Sequence, residues 1–125
     1  MSSLILDTSG DQTYLGWSEK GTLLSKKVLL EGKQLSKFLL PAIDSILQAQ
    51  VPDFIAIGIG PGSYTGTRVG AMVAKSLSFA WNVPLISFSS KLLPDLETIA
   101  SLTYEKILLE PSSSQIDLVY ISNSP

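Results

Sequence analysis

Between an apolar run and a helical pattern the chain reads GIGPGSYTGTRVG, with glycine at 58, 60, 62, 66 and 70. A strand that ends in Gly60-Pro61-Gly62-Ser63 and passes straight into a helix must turn within a few residues. That geometry presents backbone N–H groups at the start of the helix, where an anion can be held. The spacing is not that of a P-loop, because no Gly-Lys-Ser/Thr follows. It also departs from the dinucleotide-binding fingerprint after Gly60. The same residues suit a plain tight turn in which Ser63 caps the helix. On the residues alone, both readings stand.

The surrounding pattern places this turn in an α/β fold. Leu4–Leu6 reads as a short buried strand, Thr13–Ser18 as a second and Leu23–Leu30 as a third. Glu19-Lys20-Gly21 is a hairpin turn in which glycine takes positive φ. Leu35, Phe38, Leu39, Ala42, Ile43, Ile46 and Leu47 recur at helical spacing. Pro41 lies inside that pattern and is expected to kink or restart the helix. Phe54–Ile59 is a continuous apolar run, as in a strand covered on both faces. Thr65–Trp81 is a second helix, Leu85–Phe88 a further strand, and Leu92–Leu109 is loosely helical. Glu110–Ser114 reads as a linker and Ile116–Ile121 as a short strand. An antiparallel meander followed by β-α units implies a mixed sheet flanked by helices.

Composition removes several chemistries. The 125 residues contain no cysteine and no histidine. Disulfides, thiolate metal sites and a Ser-His-Asp triad are therefore excluded. Net charge is −2, and no basic run appears, so binding of nucleic acid by the chain alone is not expected. No metal and no cofactor is expected. Neither a signal peptide nor a membrane span is visible, which points to a cytoplasmic protein. Mean hydropathy is +0.30, high for a small soluble domain, so some apolar surface is expected to meet a partner.

Two elements carry candidate function. Asp7 ends the first strand and precedes Thr8 and Ser9, and this group is a candidate phosphate or metal-phosphate holder. A solvated turn with local hydrogen bonds explains it equally well. In the second helix, Val69, Met72, Val73, Ser76, Leu77 and Ala80 form one stripe, expected to face the sheet. Gly66, Gly70 and Ala74 are small residues four apart, an arrangement that lets another backbone come close. Arg68, Lys75 and Phe79 lie on the far side. The apolar arc is too wide for one sheet to cover, so the first helix and a partner protein are expected to share it.

GPGSYTGTRVG, followed by AKSLSFAWNVPLISFSS, resembles the TsaB family, also called YeaZ. Its pattern runs close to GPGSFTGLRIG, then an AKGLA-type helix, then IPL or IPV. Gly60, Pro61, Gly62, Ser63, Thr65, Gly66, Arg68, Gly70, Ala74 and Lys75 match it. ILDTSGDQTYLGW and LSKFLLPAID are similar to the family's opening and first helix, with Leu35 where the family usually has histidine. The resemblance covers Leu4 to about Leu92. It implies an actin-like, sugar-kinase-like ATPase lobe of the RNase H type. It also implies a non-catalytic partner of TsaD in making N6-threonylcarbamoyladenosine in tRNAs that read ANN codons, with the ATPase TsaE joining the complex. Its two helices would form the interface with TsaD or with a second copy, through Leu35, Phe38, Leu39, Gly66, Arg68, Gly70, Ala74, Lys75 and Phe79. Gly60–Ser63 would be a scaffold that launches the interface helix.

Family members usually have two lobes. The expected division here is residues 1–90 as the family lobe and 91–125 as a helix and tail in place of the second lobe. A residual nucleotide-binding lobe using Asp7, or a homodimeric scaffold with a divergent task, are the rival readings.

Overall fold

The structure is a computed structural model that describes residues 1–29 and 35–109, with side chains from residue 37 in the second segment. The elements are β1 (Ser2–Asp7), β2 (Thr13–Glu19), β3 (Thr22–Leu29), α1 (Leu35–Leu47), β4 (Phe54–Gly58), α2 (Tyr64–Trp81), β5 (Leu85–Phe88) and α3 (Leu96–Leu109). A single 3-10 turn at Ser90–Leu92 precedes α3. The expected linker at 110–114 and strand at 116–121 lie outside the described residues.

The sheet order is β3-β2-β1-β4-β5. β1, β2 and β3 pair antiparallel, whereas β1/β4 and β4/β5 pair parallel. The β2–β3 turn needs only two residues because Lys20 and Gly21 both take positive φ, the backbone that matches strand twist in a tight hairpin. Parallel neighbours need a crossover, and α2 supplies it between β4 and β5.

Alternation along the strands builds two cores. Leu4, Leu6, Leu15, Trp17, Ile55 and Ile57 pack with α1 and with Ala74 of α2. Ile5, Phe54, Ala56, Ile86 and Phe88 point the other way, onto Leu96, Ile99, Ala100 and Ile107 of α3. The sheet is therefore sandwiched between α1 and α2 on one face and α3 on the other. The central strands β1 and β4 are buried on both sides, which is why they read as unbroken apolar runs.

α1 is one continuous helix across Pro41. Pro41 is exposed, so the carbonyl left without a donor one turn back can be served by solvent. At the start of α3, Asp95 accepts the Thr98 backbone N–H at 3.0 Å and the Thr98 hydroxyl at 2.6 Å. The side-chain bond first, then the backbone bond, holds the Asp95 carboxyl below its ordinary value of 3.8. A depressed folded value means that this cap acts above the ordinary value and is lost as pH falls through the folded one.

α2 corrects one expectation. The side facing the sheet is Thr67, Gly70, Ala71 and Ala74, not the stripe of larger residues. Met72, Ser76 and Ala80 are exposed, and Val69, Val73 and Leu77 are half-buried at the flank of the α1-side core. The reason is distance. The β1–β2 turn and the sheet approach this helix so closely that only small side chains fit between them.

α3 is built into the lobe by the same burial. Ile99 is fully buried, so Ile99→Ala is expected to lower the unfolding free energy by about 2–5 kcal/mol in urea titrations. A loss below about 1 kcal/mol would show that α3 is a loosely attached appendage.

Candidate functional site

The site lies where β1 ends and the glycine turn begins. Asp7, Thr8 and Ser9 are 0%, 3% and 2% exposed. The Asp7 carboxylate accepts the Ser9 backbone N–H at 2.8 Å and the Ser9 hydroxyl at 2.6 Å through Oδ1. The Ser90 hydroxyl donates to Oδ2 at 2.6 Å and accepts the Gly60 N–H at 2.9 Å. Ser90 N–H in turn donates to the Gly60 carbonyl at 2.9 Å. Among the described residues no lysine or arginine pairs with this buried acid, so neutral donors alone compensate its desolvation. Such a carboxylate is costly to bury unless its lone pairs are satisfied.

Four glycines make the room. A β-carbon at Gly58 would overlap the Asp7 side chain, one at Gly62 would overlap Ser9, and one at Gly66 or Gly70 would strike Thr8. These positions run at intervals of four along the end of β4, the turn and α2, and all meet the same three-residue segment. The Thr8 hydroxyl donates to the Gly66 carbonyl. Only Gly60 among the turn glycines also needs its backbone freedom, with φ of +94°.

The same contacts use two of the N–H groups that an anion would seek. Ser63 N–H donates to the Ser9 carbonyl at 2.8 Å. Gly66 N–H donates to the Ser63 hydroxyl at 3.0 Å, the cap expected from the sequence. The candidate phosphate group Asp7, Thr8 and Ser9 and the scaffold Gly60–Ser63 are thus joined into one internal assembly. Ser90 was not singled out by sequence reasoning. Its place in SFSS is visible in the resemblance, but its role rests on a contact 83 residues from Asp7.

The candidate interface residues separate into two sets. Leu39, Gly70 and Ala74 are buried within the lobe, and Gly66 is half-buried against Thr8. Phe38, Arg68, Lys75 and Phe79 are exposed. Leu35 lies in α1, and its side chain lies outside the described residues. Tyr64, Arg68, Met72, Lys75 and Phe79 recur at intervals of three and four and share the outward face of α2. Met72 is 65% and Phe79 is 90% exposed. The Arg68 guanidinium stands 5.2 Å from the centre of the Tyr64 ring, a cation–π contact that helps to order the stripe.

Comparison with known proteins identifies the family. The chain is 31% identical over 106 residues to the tRNA threonylcarbamoyladenosine biosynthesis protein TsaB of Bacillus subtilis, across 81% of this chain. The chain belongs to the TsaB family. It spans 44% of that relative, less than half its length. A family model described as TsaD, tRNA N6-adenosine threonylcarbamoyltransferase, matches residues 30–92, the stretch that includes α1, the glycine turn and α2. YeaZ from Pseudomonas aeruginosa superimposes with a TM-score of 0.64 at 29% identity, over 70% of this chain and 43% of that one. RuvC from Thermus thermophilus matches at TM-score 0.50 and 16% identity, over 71% and 62% of the two chains. That likeness shows the shared RNase H-like fold alone. This TsaB-family lobe has no helix among its described residues that is long and apolar enough to cross a membrane.

The glycine contacts predict a paired result. Gly58→Ala is expected to cost about 1–3 kcal/mol through overpacking, because its β-carbon meets Asp7. Gly10→Ala has no neighbouring atom within 4 Å and should stay within about 0.5 kcal/mol of the parent. Chemical unfolding of both variants measures this, and equal effects would contradict the steric account.

Proposed function

We propose that this lobe acts in tRNA threonylcarbamoyladenosine biosynthesis as a docking subunit for a TsaD-type transferase, and not as the catalyst. The observation that carries the reading is the outward stripe of α2, with Phe79 90% exposed at its end. Aromatic residues, methionine and arginine are the side chains enriched in the cores of protein interfaces. Here they are held on a helix whose opposite side is fixed to the sheet and to the Asp7–Ser9 turn. Phe38 and Leu40 add exposed apolar surface from α1.

The assignment to one pathway is supported by the TsaB relative, a tRNA threonylcarbamoyladenosine biosynthesis protein, and by the transferase family model. The non-catalytic role is supported by the inward commitment of Asp7 and Ser9, which leaves this acid without access to solvent. On this reading Gly66, Gly70 and Ala74 act indirectly. They seat the helix from which the stripe projects, and the partner meets the residues on the other side. A second copy of the chain can use the same face when TsaD is absent, since a two-fold contact places one patch against itself.

The test is capture of the transferase and tRNA modification with the organism's own TsaD. Met72→Glu combined with Phe79→Glu should weaken capture at least about tenfold, or about 1.4 kcal/mol. The melting temperature should stay close to the parent, since both side chains are exposed. Undiminished capture by the folded double variant would exclude this face as the docking surface.

A further inference from the structure

A cleft of about 340 Å³ opens beside the glycine turn, on the side away from the α2 stripe. Its floor is made by residues that directly follow two parallel strands. Gly60 and Pro61 come after β4, and Ser89 and Lys91 come after β5. Crevices at the carboxyl ends of parallel strands are the usual ligand positions in open α/β sheets. Phe88 and Pro61 supply an apolar wall, and the volume falls in the range of small-molecule pockets.

Its charge is one-sided. Lys91 and Lys106 both line the cleft, and no acidic residue does. They arrive from different elements, Lys91 from the turn after β5 and Lys106 from the last turn of α3. The Lys106 ammonium is steadied by the Ser87 carbonyl at 3.1 Å, with donor capacity left over. Among the described residues the Lys91 ammonium has no hydrogen-bond or ion-pair partner. Asp7 is not part of the lining: its oxygens are engaged by Ser9 and Ser90 beneath the turn, and among the described residues it pairs with neither lysine. Two cations brought to one concave site, in a chain of net charge −2, are a local reversal of the molecule's charge.

We propose that this cleft binds a phosphorylated small molecule, its dianionic phosphate between Lys91 and Lys106 and its apolar or planar body against Phe88 and Pro61. Two ammonium groups match the charge of a phosphate monoester better than that of a single carboxylate, and lysine serves phosphate well as a point charge. The site is separate from the docking stripe and does not depend on the proposed partner.

Phenyl phosphate is a suitable probe, with benzoate and inorganic phosphate as comparison arms at matched ionic strength. Backbone amide shifts of the full chain would be followed by NMR. Saturable shifts at Gly60, Ser89 and Lys91 are expected, tighter for phenyl phosphate than for inorganic phosphate and tighter still relative to benzoate. Lys91→Gln with Lys106→Gln should weaken phenyl phosphate at least tenfold, while Lys91→Arg with Lys106→Arg should keep most of the binding. Both lysines are exposed, so the variants should fold, and their amide spectra check this. Unsaturable shifts, shifts spread over every lysine, or equal binding by the double glutamine variant would overturn the assignment. Benzoate binding as tightly as phenyl phosphate would overturn its phosphate character.

Discussion

A buried carboxylate held by neutral donors fixes much of this structure. Asp7 sits at the end of the central strand, fully enclosed, and its stability depends on neutral donors being held in place. Ser9 is local, two residues on. Ser90 is remote, and it reaches Asp7 only because β5 lies beside β4 and the chain then turns back over Gly60. The acid therefore ties the β1–β2 turn, the glycine turn and the start of the α3 connection into one unit. Glycine at 58, 62, 66 and 70 is the steric condition for that unit, since a β-carbon at any of them would collide with the segment it receives.

The functional reading follows from which side of α2 this condition occupies. A helix set down on a turn and a sheet by its smallest residues brings its backbone close and leaves its longer side chains outside. Tyr64, Arg68, Met72, Lys75 and Phe79 then project from a rigid platform. A helix backbone already fixed in place loses less freedom on association than a mobile one, which suits a docking surface. The two-lysine cleft lies at the other flank of the glycine turn, so partner docking and small-molecule binding would use different sides of one connection.

Much of this fold is legible in the residues because local signals agree with it. Leu85–Phe88 is bounded as the sequence predicts, and α2 begins within one residue of the expected start, with Ser63 as its cap. Lys20-Gly21 makes its hairpin for a local reason. The face of α2 is where sequence reasoning fails. Apolar size predicts Met72 and Ala80 toward the sheet, but the space there is set by Thr8, about 60 residues away along the chain, and no periodicity reports that distance. Pro41 reads as a kink or a restart, and the helix does not restart there: with that residue on its solvent side it continues through. Ser90, Lys91 and Lys106 carry no pattern of their own, and only the sheet order brings them to the site.

The close approach of Thr8 to α2 is the claim on which the inner and outer faces of that helix depend. A double-mutant cycle on Gly70→Ala and Thr8→Ala measures it most directly. In open space Gly70→Ala would stabilise the helix by roughly 1 kcal/mol. The account predicts that it destabilises the parent, because the new methyl meets the Thr8 hydroxyl. It also predicts that the effect shrinks or reverses once Thr8 is alanine, with a coupling of about 1 kcal/mol or more. Additive effects, with Gly70→Ala stabilising in both backgrounds, would contradict it.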